Sequence, residues 1–181
     1  MNPRELFWLS GLAAVLAIAC IADGLFSSGD GNALGQAERL FPDLTAEAID
    51  SFTVTRGDTT VAAKKINGQW RVANPDYPAH PGRIARLAKR LAELTVSQLF
   101  DESDWTETGD EKTFGLDDTN ALVRWSSSGT EQSLEVGAAA LFGRQTYVRL
   151  PGTRDVILAA SDLANWVPRT ADDWRDLRLV P

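Results

Sequence analysis

The sequence predicts an α+β protein: an N-terminal transmembrane helix, then an antiparallel-sheet domain with one long amphipathic helix between two β-meanders. Three observations carry this expectation. Leu6 to Ala22 reads LFWLSGLAAVLAIACIA without a charge. Two stretches of short period-two runs are punctuated by turn residues. Between them, Ile84, Leu87, Leu91 and Leu94 recur at helical spacing. The expected boundaries are 1–26 for a membrane anchor or signal segment, 27–39 for a flexible tether and 40–181 for the soluble domain.

At the rise of an α-helix the uncharged run spans roughly 25 Å, near the short limit for a bilayer core. Trp8 suits the aromatic belt at one boundary. No clear A-x-A cleavage site closes the run, which favours a retained signal anchor over a cleaved signal. A lipoprotein signal is the alternative. Leu16-Ala17-Ile18-Ala19-Cys20 sets a small residue before a cysteine, which makes Cys20 a candidate for lipidation, although Ala17 stands where leucine is usual. Arg4 is the only cation before the run, and the next is Arg39. The positive-inside bias therefore points the N-terminus to the cytoplasm and the domain outward. Ser27 to Asn32 is small and polar, as a tether requires.

In the domain, Thr45 is placed to cap a single turn, and Ser51 to Thr55 and Thr60 to Ile66 alternate as strands about Arg56-Gly57-Asp58-Thr59. Asn67-Gly68 is the strongest hairpin signal in the chain and leads into Gln69 to Val72, completing a meander. Ala73 to Pro81 holds three prolines and is expected as loop. Gly82 to Leu94 is the amphipathic helix, with its leucine stripe inward and Arg83, Arg86, Lys89 and Arg90 on the other side. Val96 to Phe100 reads as a short strand, followed by an acidic loop from Asp101 to Lys112. The second meander is expected from Ala121 to Trp125, Gln132 to Val136, Thr146 to Leu150 and Val156 to Leu158, with Ser161 capping a short helix through Trp166.

Composition narrows the function classes. The chain has 181 residues and a net charge of −7, so its surface repels phosphates and nucleic acid is an unsuitable partner. One cysteine and one histidine, His80, cannot build a familiar zinc site or an internal disulfide. His80 has no serine or cysteine nucleophile at a recognisable spacing. Asp117-Asp118 and Asp172-Asp173 suit turns and helix starts rather than two sides of a substrate. The acidic loop lacks the EF-hand spacing that calcium would use. No catalytic residue, cofactor or metal is expected.

Candidates for partner binding are the basic side of the helix (Arg83, Arg86, Lys89, Arg90) and two tryptophans, Trp70 and Trp125. The chain holds six tryptophans, and indole rings favour core anchors and half-wet edges that double as contact sites.

The order of several short motifs resembles a known family. Gly68-Gln69-Trp70-Arg71-Val72 precedes Pro75; Phe114-Gly115-Leu116-Asp117 and Val136-Gly137 follow the helix. Gly143, Tyr147-Val148-Arg149 and a closing Trp174-Arg175-Asp176 complete the pattern. Together they resemble the bacterial domain of unknown function 4340 over roughly residues 49 to 179. Members of that family typically have an N-terminal membrane segment and no established reaction. Their genes often neighbour ABC-type exporter subunits and gliding-like membrane complexes. Many carry the module extended or repeated, whereas one copy is present here, so a function needing two modules is not expected.

The resemblance and the apolar run together lead to an expected function. It is a non-enzymatic accessory or assembly subunit of an inner-membrane complex, with an ABC-type transporter as the candidate complex, its domain in the periplasm and membrane-protein subunits as partners. The alternative is an envelope protein that binds a small ligand or glycan in an aromatic-lined groove.

Overall fold

A computed structural model describes residues 38–73, 76–102, 111–117, 121–141 and 144–176. The apolar run Leu6–Ala22 with Cys20, the tether up to residue 37, Trp105, Gly143 and most of the acidic loop lie outside the described residues.

The first hairpins form where their turn chemistry requires. β1 (Ile49–Arg56) and β2 (Thr59–Ile66) meet at Gly57, and β2 and β3 (Gln69–Ala73) meet at Asn67-Gly68. Asn67 and Gly68 both have positive φ, at 51° and 78°, as the tight turn between twisted strands demands. Part of the proline-rich stretch expected as loop forms a short strand, β4 (Tyr77–Pro78), which pairs with Arg71 and Val72. Proline is tolerated there because β4 is an edge strand.

Helix α1 (Pro81–Ala92) starts with proline in its first turn and carries Lys89 and Arg90 in its last, both favourable positions. Ile84, Leu87 and Leu91 are fully buried, as the leucine stripe predicts. Burying those three side chains contributes about 6 kcal/mol before conformational entropy is counted. After α1 come β5 (Val96–Phe100), a single turn α2 (Glu111–Phe114), β6 (Ala121–Ser127), β7 (Thr130–Ala139), β8 (Thr146–Arg149) and β9 (Val156–Ala159). Two 3-10 turns, Leu163–Asn165 and Ala171–Trp174, follow.

The assembly of these elements corrects the predicted architecture. Among the described residues nine strands form one antiparallel sheet in the order β4-β3-β2-β1-β6-β7-β8-β9-β5. There are no separate meanders with a helix between them, and with so little helix the fold is predominantly antiparallel β rather than α+β. The two halves fuse because β1 pairs with β2 on one side and β6 on the other, setting Phe52 opposite both Ala63 and Trp125. Leaving β1 at an edge would expose a long row of unpaired backbone groups beside buried side chains. Among the described residues no helix is long and apolar enough to cross a membrane. The transmembrane helix expected over Leu6–Ala22 lies outside the described residues.

Helix α1 carries the chain from the β4 edge to the β5 edge. Register shifts in β1, β5 and β7 bend and twist the sheet locally.

One face of the sheet bears Phe52, Val54, Val72, Val123, Trp125 and Val148, all buried. The opposite face is polar along β1 and β2 but carries a second small core near β8 and β9. There Phe114, Leu116 and Val156 pack with Phe100 and Tyr147. Gly137 makes this docking fit, because a Cβ there would run into the carbonyl oxygen of Phe114 and stand 3.1 Å from the Leu116 side chain. Gly115 has φ +63°, and a Cβ on it would lie 2.7 Å from the Ala138 nitrogen. The Phe-Gly-Leu and Val-Gly motifs are thus two halves of one packing contact. Ser161 does not cap the helix expected after it; Asp162 stands at that N-cap without a side-chain hydrogen bond. The main-chain oxygen of Ser161 instead accepts a bond from buried Thr146 at 2.8 Å.

Candidate functional site: a tryptophan groove and an arginine cleft

The sequence-predicted site residues separate into three environments. Trp125 is 1% exposed and packs edge-on against Phe41 at 5.0 Å between ring centres. It is a core residue, which corrects its expected role in partner binding: the alternation of β6 turns it inward opposite Phe52.

Trp70 is half-buried near the end of the sheet face that α1 covers. Its ring stacks on Phe52 at 5.8 Å and 29°. The ammonium of Lys65, directly across the β2–β3 pair, lies 5.4 Å from the ring centre and also donates to the Glu47 carbonyl at 3.3 Å. Around this indole opens a groove of about 630 Å³ between α1 and the turn at Leu44–Glu47. The helix side of the groove is built from Ala85, Ala88 and Ala92, whose short side chains leave the space open. Arg39, Lys65 and Lys89 bring positive charge to the rim, while Glu47 and Glu93 bring negative charge. Lys89 pairs loosely with Glu93 at 3.8 Å, and both are largely exposed. The floor suits an aromatic or aliphatic group, and the mixed rim suits the polar backbone on either side of it.

The other basic residues of α1 turn elsewhere. Arg90 Nε is 2.8 Å from Asp162 Oδ1, an ion pair without hydrogen-bond alignment. Arg83 donates to the Asp173 carbonyl at 2.7 Å, and the Arg86 guanidinium lies 5.0 Å from the centre of the Trp166 ring. These two arginines line a cleft of about 570 Å³ together with Arg169, Trp166 and the turn carrying Asp173. The Asp173 carboxylate accepts from the backbone N–H groups of Arg169 and Thr170, closing a capping box. This is the helix-start chemistry expected of Asp172-Asp173.

The described ends of the acidic loop find partners away from α1. Glu102 pairs with Arg154, and Glu111 with Arg149. Arg149 also bonds Glu135 at 2.6 Å and the Leu116 carbonyl at 3.4 Å. Burial alone would lower the Arg149 pKa, but the hydrogen bonds that it donates to Glu135 and Glu111 outweigh burial and raise the pKa. Among the described residues no group of three or more His, Cys, Asp or Glu could hold a metal ion. The cysteine proposed for lipidation, Cys20, lies outside the described residues.

Sequence reasoning missed Arg169, Lys65 and Arg39. Only the cross-strand position of Lys65, two residues before the Asn67-Gly68 turn, offered a signal that it meets Trp70. Nothing local in the sequence points Arg169 toward the helix.

Geometry of this kind defines an antiparallel-sheet domain with two open clefts flanking one helix. The family model described as domain of unknown function (DUF4340) matches residues 70–181, and the chain belongs to that family. The match begins at Trp70, so β1 and β2 at the middle of the sheet stand outside it. No curated protein and no solved structure matches the chain.

Proposed function

We propose that the protein is a non-enzymatic accessory or assembly subunit of an inner-membrane complex, of the ABC-transporter type. The apolar run Leu6–Ala22 holds the domain at the membrane and Arg4 keeps the N-terminus cytoplasmic, so the domain works in the periplasm. The observation that carries the reading is the groove floored by half-buried Trp70 and flanked by the alanines of α1. A large ring stacked on Phe52, with open space beside it, is how an interface anchor is prepared before its partner arrives.

Photocrosslinking in native membranes tests this. A photoreactive residue in place of Lys89, at the groove rim, is expected to capture a membrane subunit that then copurifies in mild detergent. The same capture should vanish in a Trp70→Ala background. Recovery of the full-length protein from the soluble fraction without detergent would sink the reading.

A second reading draws on the same groove. Its volume of about 630 Å³ falls within the range of small-molecule sites, so it suits a small ligand or glycan stacked on Trp70. A ligand that quenches Trp70 fluorescence while no subunit is captured would favour this alternative.

A further inference from the structure

A second surface lies on the other flank of α1. Arg83, Arg86 and Arg169 converge on one cleft of about 570 Å³. Among the described residues no carboxylate lies within ion-pair distance of any of the three. Arg83 spends one N–H on a main-chain carbonyl and Arg86 rests on an indole ring, which leaves most of their donors unused. The one acid lining the cleft, Asp173, already accepts two backbone N–H bonds through its carboxylate. A fourth guanidinium, Arg56, stands near Arg169, and its pKa is lowered by burial and then by that neighbouring charge. Positive charge is therefore concentrated here in a chain of net charge −7.

We propose that this cleft receives an acidic segment of a partner protein, with its carboxylates held by the guanidinium forks of Arg83, Arg86 and Arg169. The forks match planar oxyanions, and Arg86 is already oriented by stacking on Trp166. An anionic bilayer is the less suitable occupant. It presents a broad negative surface to a molecule of net charge −7 and would repel it as a whole. One side chain entering a cleft meets mainly the charges within a Debye length of about 8 Å, where the arginines dominate. The inference deepens the reading of the chain as an assembly subunit by giving the chemistry of a second contact.

The test titrates the full-length chain in neutral detergent with a capped oligoglutamate peptide, following the side-chain Nε–H resonances of Arg83, Arg86 and Arg169. Parallel titrations use oligoglutamine, inorganic phosphate, and phosphatidylcholine vesicles containing phosphatidylglycerol. Oligoglutamate is expected to shift the three resonances, to weaken with salt, and to lose about tenfold in affinity in the Arg86→Gln/Arg169→Gln variant. Should that variant unfold early in urea, Arg169→Gln alone, at an exposed position, gives the same readout. Equal binding of oligoglutamine, binding of phosphate without oligoglutamate, arginine-dependent binding only to the vesicles, or no shift with oligoglutamate would each overturn the proposal. Trp70 takes no part in this assay, so failure here and failure of the membrane-subunit capture are separate results.

Discussion

Arg149 and Glu135 face each other across the β7–β8 pair, and Arg149 Nε donates to Glu135 Oε2 at 2.6 Å. The same guanidinium reaches Glu111 at 3.0 Å, so one side chain ties the sheet to the single turn α2. That turn delivers Phe114 and Leu116 to the smaller core.

Removing this tie has a predictable cost. Arg149→Ala leaves two carboxylates facing each other, with Glu135 only 21% exposed. A loss of about 2 kcal/mol is expected in urea denaturation, held below the value for a fully buried pair because Glu111 stays 41% exposed. Arg149→Lys should recover part of it, since one ammonium cannot reproduce the fork.

Gly137→Ala tests the docking of the Phe-Gly-Leu motif. Its Cβ would collide with a main-chain oxygen, which cannot rotate away as a side chain can. A loss of about 3 kcal/mol is expected, with faster hydrogen exchange at Leu116. Gly57→Ala meets open space and strains only its φ of +52°, so it should cost about 1 kcal/mol.

The two predicted tryptophans should part company on mutation. Trp125→Ala empties a fully buried site and is expected to cost about 4 kcal/mol in stability. Trp70→Ala removes a half-buried ring and should cost about half as much, yet it should abolish capture at the groove. Urea midpoints and crosslinking yield, measured on both variants, separate folding from binding.

Tyr77 gives a pH dependence. Burial, and then the charge of Asp172, raises its pKa above the ordinary phenol value. The unfolded chain therefore ionises first as pH climbs past about 10, and binds fewer protons than the folded one. Stability falls with rising pH across the window between the unfolded and folded pKa values. Among the described residues the Tyr77 hydroxyl has no hydrogen-bond partner. Tyr77→Phe should flatten the alkaline fall without loss at neutral pH, as read from urea midpoints against pH.

Elements whose identity depends on near neighbours were legible in the residues. The Asn67-Gly68 turn, the strands beside it and the leucine face of α1 lie where spacing places them, because turn chemistry and helical periodicity act over a few positions. The inward role of Trp125 was not legible. Alternation fixes which residues share a face but not which face meets the helix, and Trp70 and Trp125 lie on the same one.

By itself the sequence determined the local pieces: an uncharged N-terminal run, short strands, one amphipathic helix and an acidic surface. Tertiary structure alone decided that β1 joins β6, which turns two expected meanders into one sheet. It also decided that the basic row of α1 divides between a tryptophan groove and an arginine cleft. The physical reason is range. Periodicity and turn preference are set by residues a few positions apart, whereas strand partners and cleft walls come from segments tens of residues apart, selected by which arrangement buries the apolar faces with every strand paired.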